Sequence, residues 1–533
     1  MISEQVELPD GRVELRADVH LTGSSLFNED LAPTRVAERN WTTYNFAALW
    51  ISMAHCIPTY MLAAGLIASG LSWTQALFTI LLGNLIVLAP ILLNSHPGTK
   101  YGIPFPVFAR AAYGTWGSNV PALMRAIVAC GWFGIQCWIG GKALHTFMLS
   151  MWPAWAMRDT LVGGHPPTMW LSFLAFWGMN IWIIFRGMDL LRKVENIAAP
   201  YVLVMTGVLV WWAIDHAHGL GPILERNSHF HGHGSFLSVF IPSLTGMIGF
   251  WATLSLNMPD FTRYGRSQRE QVVGQVVALP TTMTLFAAMG VIITSATQVI
   301  YGEAIWDPMD LALRFTNRWM VALAMFTVVI ATLAVNIAAN VVSPANDFAN
   351  AFPKWITFRR GGLITGLVGI AMCPWKLLAD PSGYIFTWLV GYSGGLGSIA
   401  GVLVADYWFV KRGRLDLADL YRADGRYVYG TLVETSTKTG DETGYREALP
   451  REGKVWQGSG INGVAVGATL VGCALAWVGA FVPALKAMYD YAWFVGAFSS
   501  AGLYALGMKV TGDRAAVALS PSLSREAGEG ARG

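Results

Sequence analysis

Side chains able to act on a solute are few in this chain, and they lie inside long apolar runs. The run from Trp41 to Gly70, WTTYNFAALWISMAHCIPTYMLAAGLIASG, holds His55, Cys56 and Pro58 at its centre. A later run, RAIVACGWFGIQCWIGGKALH from Arg125 to His145, carries Trp132, Gln136 and Lys142. Trp251 follows Gly249 and Phe250 in FIPSLTGMIGFWATLSLNMPD, which ends at Asp260, and Asn336 and Asn340 stand four apart in ATLAVNIAANVVSP. Indole faces stack on flat rings, and primary amides both donate and accept hydrogen bonds. Two indoles and two amides therefore suit a flat, neutral heterocycle whose edge alternates C=O and N–H. The chemistry is recognition rather than bond breaking: no HExxH or carboxylate pair lies within the runs. Plainer roles are open to the same residues. Tryptophan gathers at membrane interfaces, buried amides glue helices together, Lys142 can snorkel, and Asp260 can cap a helix or lie in a loop.

The elements that must position these groups are membrane helices. Of 533 residues, 54% are hydrophobic and 13% charged, against about 25% charged in soluble domains. Apolar runs of about 20 residues, each enough to cross a bilayer, predict about twelve spans. They lie near 43–69, 73–94, 119–150, 168–186, 196–214, 236–259, 273–299, 318–342, 362–380, 384–409, 461–483 and 487–508. The third is long enough to require a tilt or an interruption. A net charge of +3 gives no reason to expect a nucleic-acid partner, and no obligate protein partner is implied. All five cysteines fall in apolar spans, so neither a disulfide framework nor a zinc site is expected. Met1 to Leu26 is polar and has no apolar signal core.

Pro58 decides how the first span can fold. It has no N–H for the carbonyl of Ala54, and its ring clashes there, so the helix opens. In lipid a bare carbonyl needs a partner from protein, water or ligand. A repaired kink and a mid-membrane binding site both satisfy that need. The sixth span has Gly246 and Gly249 near its centre and Pro259 at its end, and it comes five spans after the first. An odd repeat inverts the second copy, and paired interrupted helices in two halves point to a transporter site between them.

Lysine and arginine set the orientation. Lys100 and Arg110, Arg186 with Arg192 and Lys193, Arg263 with Arg266 and Arg269, Lys354 with Arg359 and Arg360, and Lys411 with Arg412 and Arg414 all fall on one side. That side is the cytoplasm, with both termini inside, as in a bacterial inner or other plasma membrane. The expected organisation is a leader over 1–40, a core over 41–409 with halves near 41–215 and 236–409, a cytoplasmic linker over 410–460, two peripheral helices over 461–508 and a polar tail over 509–533. The outer loop with His216, His218, His229, His231 and His233 lacks an acid or cysteine to complete a metal site, and reads as a solvated loop. No cofactor is expected beyond a coupling cation.

Several ordered motifs carry a resemblance: NEDLAPTRVAERNW, GTKYGIPFPVFARAAYG, GWFGIQCW, FWATLSLNMPDFTRY, NIAANVVSPANDFANAFPKWITFRRGG and ADYWFVKRGRLDLADLYRADGRY. The chain resembles the nucleobase:cation symporter-1 family, and within it the allantoin, hydantoin and uracil permeases. The resemblance implies an all-α polytopic LeuT-type fold, with two inverted five-helix repeats plus two peripheral helices, and transport by alternating access. It places the stacking tryptophans on Trp132 and Trp251, the polar substrate contacts on Gln136 and Asn340, and a first-span contact on Cys56, where relatives often carry an amide. It also places sodium-binding carbonyls on Ser52, His55 and Ala331. The two hydroxyls that complete that cage fall on Ala334 and Val335, which have no side-chain oxygen. Proton coupling, or at least no strict sodium dependence, is the expectation, with His55, Asp260 and Lys142 as candidate carriers. A LeuT-type carrier of an amino acid or vitamin is the alternative cargo reading. A channel would show a ring of like pore-lining residues, and none is evident.

Overall fold

The structure is a computed structural model and describes residues 4–156, 161–225, 228–230, 233–377, 388–435 and 453–511. The chain begins with a hairpin, β1 (Gln5–Glu7) antiparallel to β2 (Val13–Leu15). Helices α1 (Thr43–Ala54), α2 (Ile57–Ala68), α3 (Trp73–Tyr101), α4 (Phe105–Tyr113), α5 (Asn119–Met151), α6 (Pro167–Arg186) and α7 (Met188–Ala217) build the first half. The second half holds α8 (His233–Phe250), α9 (Leu254–Asn257), α10 (Pro259–Thr262), α11 (Gln268–Tyr301), α12 (Pro308–Ala312), α13 (Arg318–Asn340), α14 (Val342–Ala351), α15 (Phe358–Ala371), α16 (Pro374–Leu377) and α17 (Val390–Val404). A second hairpin, β3 (Thr431–Thr435) with β4 (Gly453–Gln457), leads to α18 (Gly463–Phe481), α19 (Lys486–Asp490) and α20 (Ala492–Thr511).

Among the described residues eight helices are long and apolar enough to cross a membrane, and ten if each bent pair counts as one span. The remaining two expected spans correspond to α15, which has only 14 residues, and α20, which has 20. The third span is uninterrupted over its 33 residues, about 50 Å. It therefore tilts or protrudes rather than breaking. The eighth continues through Val341 into α14, so Asn340 is not near its end. Eleven further residues, about 16 Å of helix, follow it up to Ala351.

The two bent pairs are the expected ones. The axis turns by 56° between α1 and α2 and by 43° between α8 and the α9–α10 segment. At the first break His55 and Cys56 leave the helix, and Pro58 becomes the second residue of α2, where a missing N–H costs nothing. The Ala54 carbonyl is closed from within the chain: the Thr59 hydroxyl donates to it at 2.8 Å and the Cys56 N–H at 3.1 Å. At the second break Trp251–Thr253 form a turn. The Gly249 carbonyl accepts from Ala252 N–H at 3.0 Å and from the Tyr392 hydroxyl at 2.9 Å. Glycine is required there, because a Cβ would stand 2.6 Å from the Leu389 carbonyl oxygen.

The leader and the segment after α17 are packed structure, not loose connections. Arg39 is buried and donates to the carbonyls of Thr34, Thr99, Lys100 and Val13. Burial brings its guanidinium down to about 10, so it keeps its charge at neutral pH. Arg422 pairs with Glu4 at 2.6 Å, and the Tyr421 hydroxyl reaches the Leu31 carbonyl at 2.7 Å. Residues 410–430, expected as linker, are thus clamped onto the leader; 436–452 lie outside the described residues, as does the tail from 512.

Thr59→Val keeps the shape of the side chain and removes the donor that closes the Ala54 carbonyl. The expected loss is about 1–3 kcal/mol, read as a lower unfolding midpoint of the detergent-purified protein; an unchanged midpoint would remove Thr59 from this role.

Candidate substrate site

Four elements converge around the two breaks: α1–α2, α5, the α8–α9 turn and α13. From α5, Trp132 and Gln136 point inward, both buried. The Trp132 N–H donates to the Tyr392 hydroxyl at 3.2 Å, and its ring meets Phe250 edge-on with centroids 5.5 Å apart. Phe250 in turn meets Trp251 at 4.8 Å, and Trp251 meets Trp50 of α1 at 5.1 Å, both edge-on. The two predicted indoles therefore belong to one cluster but do not stack on each other; Phe250 stands between them. The Gln136 side chain reaches the Cys56 thiol, while its Oε1 has no hydrogen-bond partner among the described residues. The Trp251 N–H is likewise buried and unpartnered.

Asn340 sits at the end of a directed relay. The Asn180 amide donates to the Phe176 carbonyl at 2.8 Å, Asn336 donates to Asn180 Oδ1 at 3.1 Å, and Asn340 donates to Asn336 Oδ1 at 3.1 Å. A main-chain carbonyl can only accept, so Phe176 fixes the sense of the whole row. Each amide donates an N–H backward, and Asn340 keeps its Oδ1 and its second N–H outside the row. Asn336 is locked between α5 and α6, gluing the helices together; it also touches Cys137 Sγ at 3.3 Å.

The predicted coupling residues fall in separate places. Ser52 and Ala331 are buried, and Ala334 and Val335 are buried beside them on α13. The His55 ring is engaged, with Nε2 2.6 Å from the Thr206 hydroxyl and 3.3 Å from Tyr60. His55, Cys56 and Ala331 line a cavity of about 250 Å³ whose walls come from α7, α11, α12 and α13. That cavity does not touch Trp132, Gln136, Trp251 or Asn340. Its rim includes Trp211 and Leu323, both strongly exposed. Lys142 is half-exposed and pairs with Asp307 at 3.3 Å and Asp310 at 3.7 Å. It bridges α5 to α12 rather than standing as an unpaired cation in the span.

Asp260 is buried, not in an exposed loop. One of its oxygens accepts from the Phe105 N–H at the start of α4 and from Asn346, both at 3.0 Å. It caps a helix whose N-terminal end favours negative charge. Beside it lies an ion pair that the sequence did not announce: Arg125 and Asp347, both fully buried, 3.1 Å apart. A cavity of about 200 Å³ leads from Arg263 and Arg359 up to Asp260 and Asn346. Among the described residues no group of three His, Cys, Asp or Glu side chains could hold a metal ion.

Residues 33–437 match the family model described as permease for cytosine/purines, uracil, thiamine, allantoin. The chain belongs to this family. It is 42% identical over 489 residues, covering 91% of this chain and 94% of the other, to an allantoin permease of Bacillus subtilis. It is also 42% identical over 398 residues to a purine-uracil permease of Arabidopsis thaliana, covering 74% of this chain and 66% of the relative. Among solved structures it matches the nucleobase-cation-symport-1 transporter Mhp1 with bromovinylhydantoin bound. The TM-score is 0.72 at 24% identity, covering 92% of this chain and 96% of that one. The permease is therefore a multi-pass membrane protein of LeuT-type fold, a carrier of small molecules and not an enzyme.

Sequence reading missed the residues that support the site: Phe250, Tyr392, Asn180, Arg125 and Asp347. An arginine near one end of a span and an aspartate near the end of another carry no mark of a shared address when 222 residues separate them. Arg125→Met in the permease strands Asp347 as an unpaired buried charge, at a cost of about 3–5 kcal/mol. It should yield little folded protein by fluorescence-detected size exclusion. The double change Arg125→Met with Asp347→Leu should recover most of the yield, and failure to do so would show that the charges act elsewhere.

Proposed function

We propose that the permease is a secondary importer of a neutral, planar nitrogen heterocycle of the allantoin, hydantoin or uracil type. It works by alternating access, with both termini cytoplasmic in the plasma membrane. The observation that carries this reading is a set of buried polar atoms with complementary roles. Gln136 Oε1 is an unpartnered acceptor and Trp251 Nε1 an unpartnered donor, and the relay leaves Asn340 Oδ1 as a further acceptor. A buried polar atom without a partner costs free energy, which a ring bearing N–H and C=O groups offsets while its faces lie against the indoles. Trp132 is held for that contact by its bond to Tyr392. The names of relatives agree in kind: allantoin permease in Bacillus subtilis, purine-uracil permease in Arabidopsis thaliana and hydantoin permease in Microbacterium maritypicum, the last 27% identical.

We infer also that protons drive uptake, or at least that sodium is not strictly required. Sodium seeks hard oxygen ligands, and the side chains of Ala334 and Val335 offer none. The carbonyls of Ser52, His55 and Ala331 are left as an incomplete cage. Lys142, tied to two carboxylates, and Asp260, tied to α4, are poorer proton carriers than they looked on the linear chain.

Tryptophan fluorescence with allantoin, hydantoin, uracil, cytosine and purines tests the cargo. Trp132→Ala should weaken binding of the selected solute by about tenfold or more, since stacking and area together exceed about 1.4 kcal/mol, without loss of folding. Unchanged affinity would take Trp132 out of the site. In proteoliposomes solute on the far side should accelerate uptake, as a carrier requires, and replacing sodium with choline should leave uptake largely intact; its collapse would sink proton coupling.

A further inference from the structure

The cavity beside the first break takes no part in the solute site, and its walls carry a different chemistry. Among the described residues no Asp, Glu, Lys or Arg lines it. Three of its hydroxyls already donate to main-chain carbonyls: Thr206 to Val202 at 2.8 Å, Thr294 to Ile305 at 3.2 Å and Thr327 to Leu323 at 2.9 Å. Most of what remains is hydrocarbon, with Ile57, Leu209, Ile293, Leu311, Met325 and Val328 among the lining. Such walls offer an ion nothing in place of its water shell, and a polar solute few partners. His55 Nδ1 is the one buried side-chain nitrogen or oxygen of the lining without a partner among the described residues, short of the about three bonds that a buried water makes. A void left empty costs its lining the contacts it would otherwise make. The fitting occupant is apolar.

Depth and position select the kind of apolar group. Along α13 the lining runs from Met320 to Thr332, a rise of about 18 Å, and the inner end stops at His55 and Cys56. One leaflet of the hydrocarbon core is about 15 Å deep, half of the whole. The cavity is thus a slot as deep as one leaflet, with its volume of about 250 Å³ spread along that depth. Its side is continuous with the protein's lipid boundary. Val208 and Trp211 of α7 and Met320 and Leu323 of α13 line the slot and are themselves exposed. Both helices belong to stretches long and apolar enough to cross a membrane, where exposed apolar side chains meet hydrocarbon.

We propose that the slot holds one acyl chain of a membrane lipid. The chain enters sideways between α7 and α13, lays its end against the His55–Cys56 break and leaves its headgroup at the surface beside α12. In the orientation proposed above, this lipid belongs to the outer leaflet. The chain packs against the His55 ring, whose Nε2 lies 2.6 Å from the Thr206 hydroxyl of α7. It steadies the break from a side that Trp132, Gln136, Trp251 and Asn340 do not occupy. Neither the cargo nor the coupling ion enters into this binding.

The test uses the full chain in phosphatidylcholine nanodiscs, with a small share of phosphatidylcholine bearing a diazirine near the end of one acyl chain. After illumination the labelled positions are mapped by mass spectrometry, with adducts on exposed Trp211 and Leu323 as the internal reference. Wild type should carry further adducts on Ile57, Ile293 or Met325, which are buried and which a chain reaches through the slot. Ala324→Phe, on the α13 wall, puts a ring into the slot and should cut the inner adducts by about tenfold or more against the reference. Should Ala324→Phe fail to elute as folded protein, Val328→Phe, one turn deeper, takes its place with the same expected loss. Wild type without inner adducts overturns the assignment, and so do inner adducts undiminished in the folded variant. A lipid with its diazirine on the headgroup should leave the inner residues unlabelled, and labelling there overturns the acyl chain as the occupant. No solute is present, so an unlabelled slot leaves the transport reading standing.

Discussion

A proline cannot give the hydrogen bond that a helix asks of it, and in a membrane no water stands by to replace it. Pro58 imposes that condition on the middle of the first span. The chain answers locally, by turning the Thr59 hydroxyl back onto Ala54. The answer at the second break is different in kind. Gly249 is closed by Tyr392, a residue 143 positions later on the tenth span, and Tyr392 also receives the Trp132 N–H from the third. The first break is thus self-contained, while the second is held by a hydroxyl shared among three helices. Any displacement of α17 against α8 must disturb the Trp132 indole. A helix bend and a ring position are thus linked mechanically through two hydrogen bonds.

Direction in hydrogen bonding does similar service on the other side of the site. Amides are ambivalent, and an isolated asparagine can turn either way. The row from Asn180 through Asn336 to Asn340 is not ambivalent, because it starts on the Phe176 carbonyl. Its sense is inherited link by link as far as Asn340, which keeps its Oδ1 and one N–H outside the row.

Much of this was legible in the linear chain, and the reasons are physical. Pro58 and the glycines of the sixth span are local rules, and their consequences appear where the residues stand. The apolar runs and the indole and amide types are likewise local. What stayed hidden is pairwise or depends on depth. Asn340 lies two residues from the expected end of the eighth span at 342, whereas the helix continues to Ala351 and brings Asn346 into a buried polar layer with Asp260. Arg125 and Asp347 each resembled a flanking charge, and only the fold brings them together. Glu195 sat among Arg192, Lys193 and Asn196 like any interfacial residue, until packing against α1 closed it off. Residues 410–430 have the composition of a connection, yet Tyr421 and Arg422 fasten them to the leader.

Cys56 shows how a departure from the family's pattern can be read in the same terms. An amide at that position would offer Gln136 a strong partner. A thiol is a weak donor and a weak acceptor. It lies 3.3 Å from the Thr59 hydroxyl, the same group that repairs the Ala54 carbonyl, and so belongs as much to the break as to the site. Gln136 Oε1 then remains unpartnered beside it. On this geometry Cys56 serves the bend of the first span at least as much as its contact with Gln136.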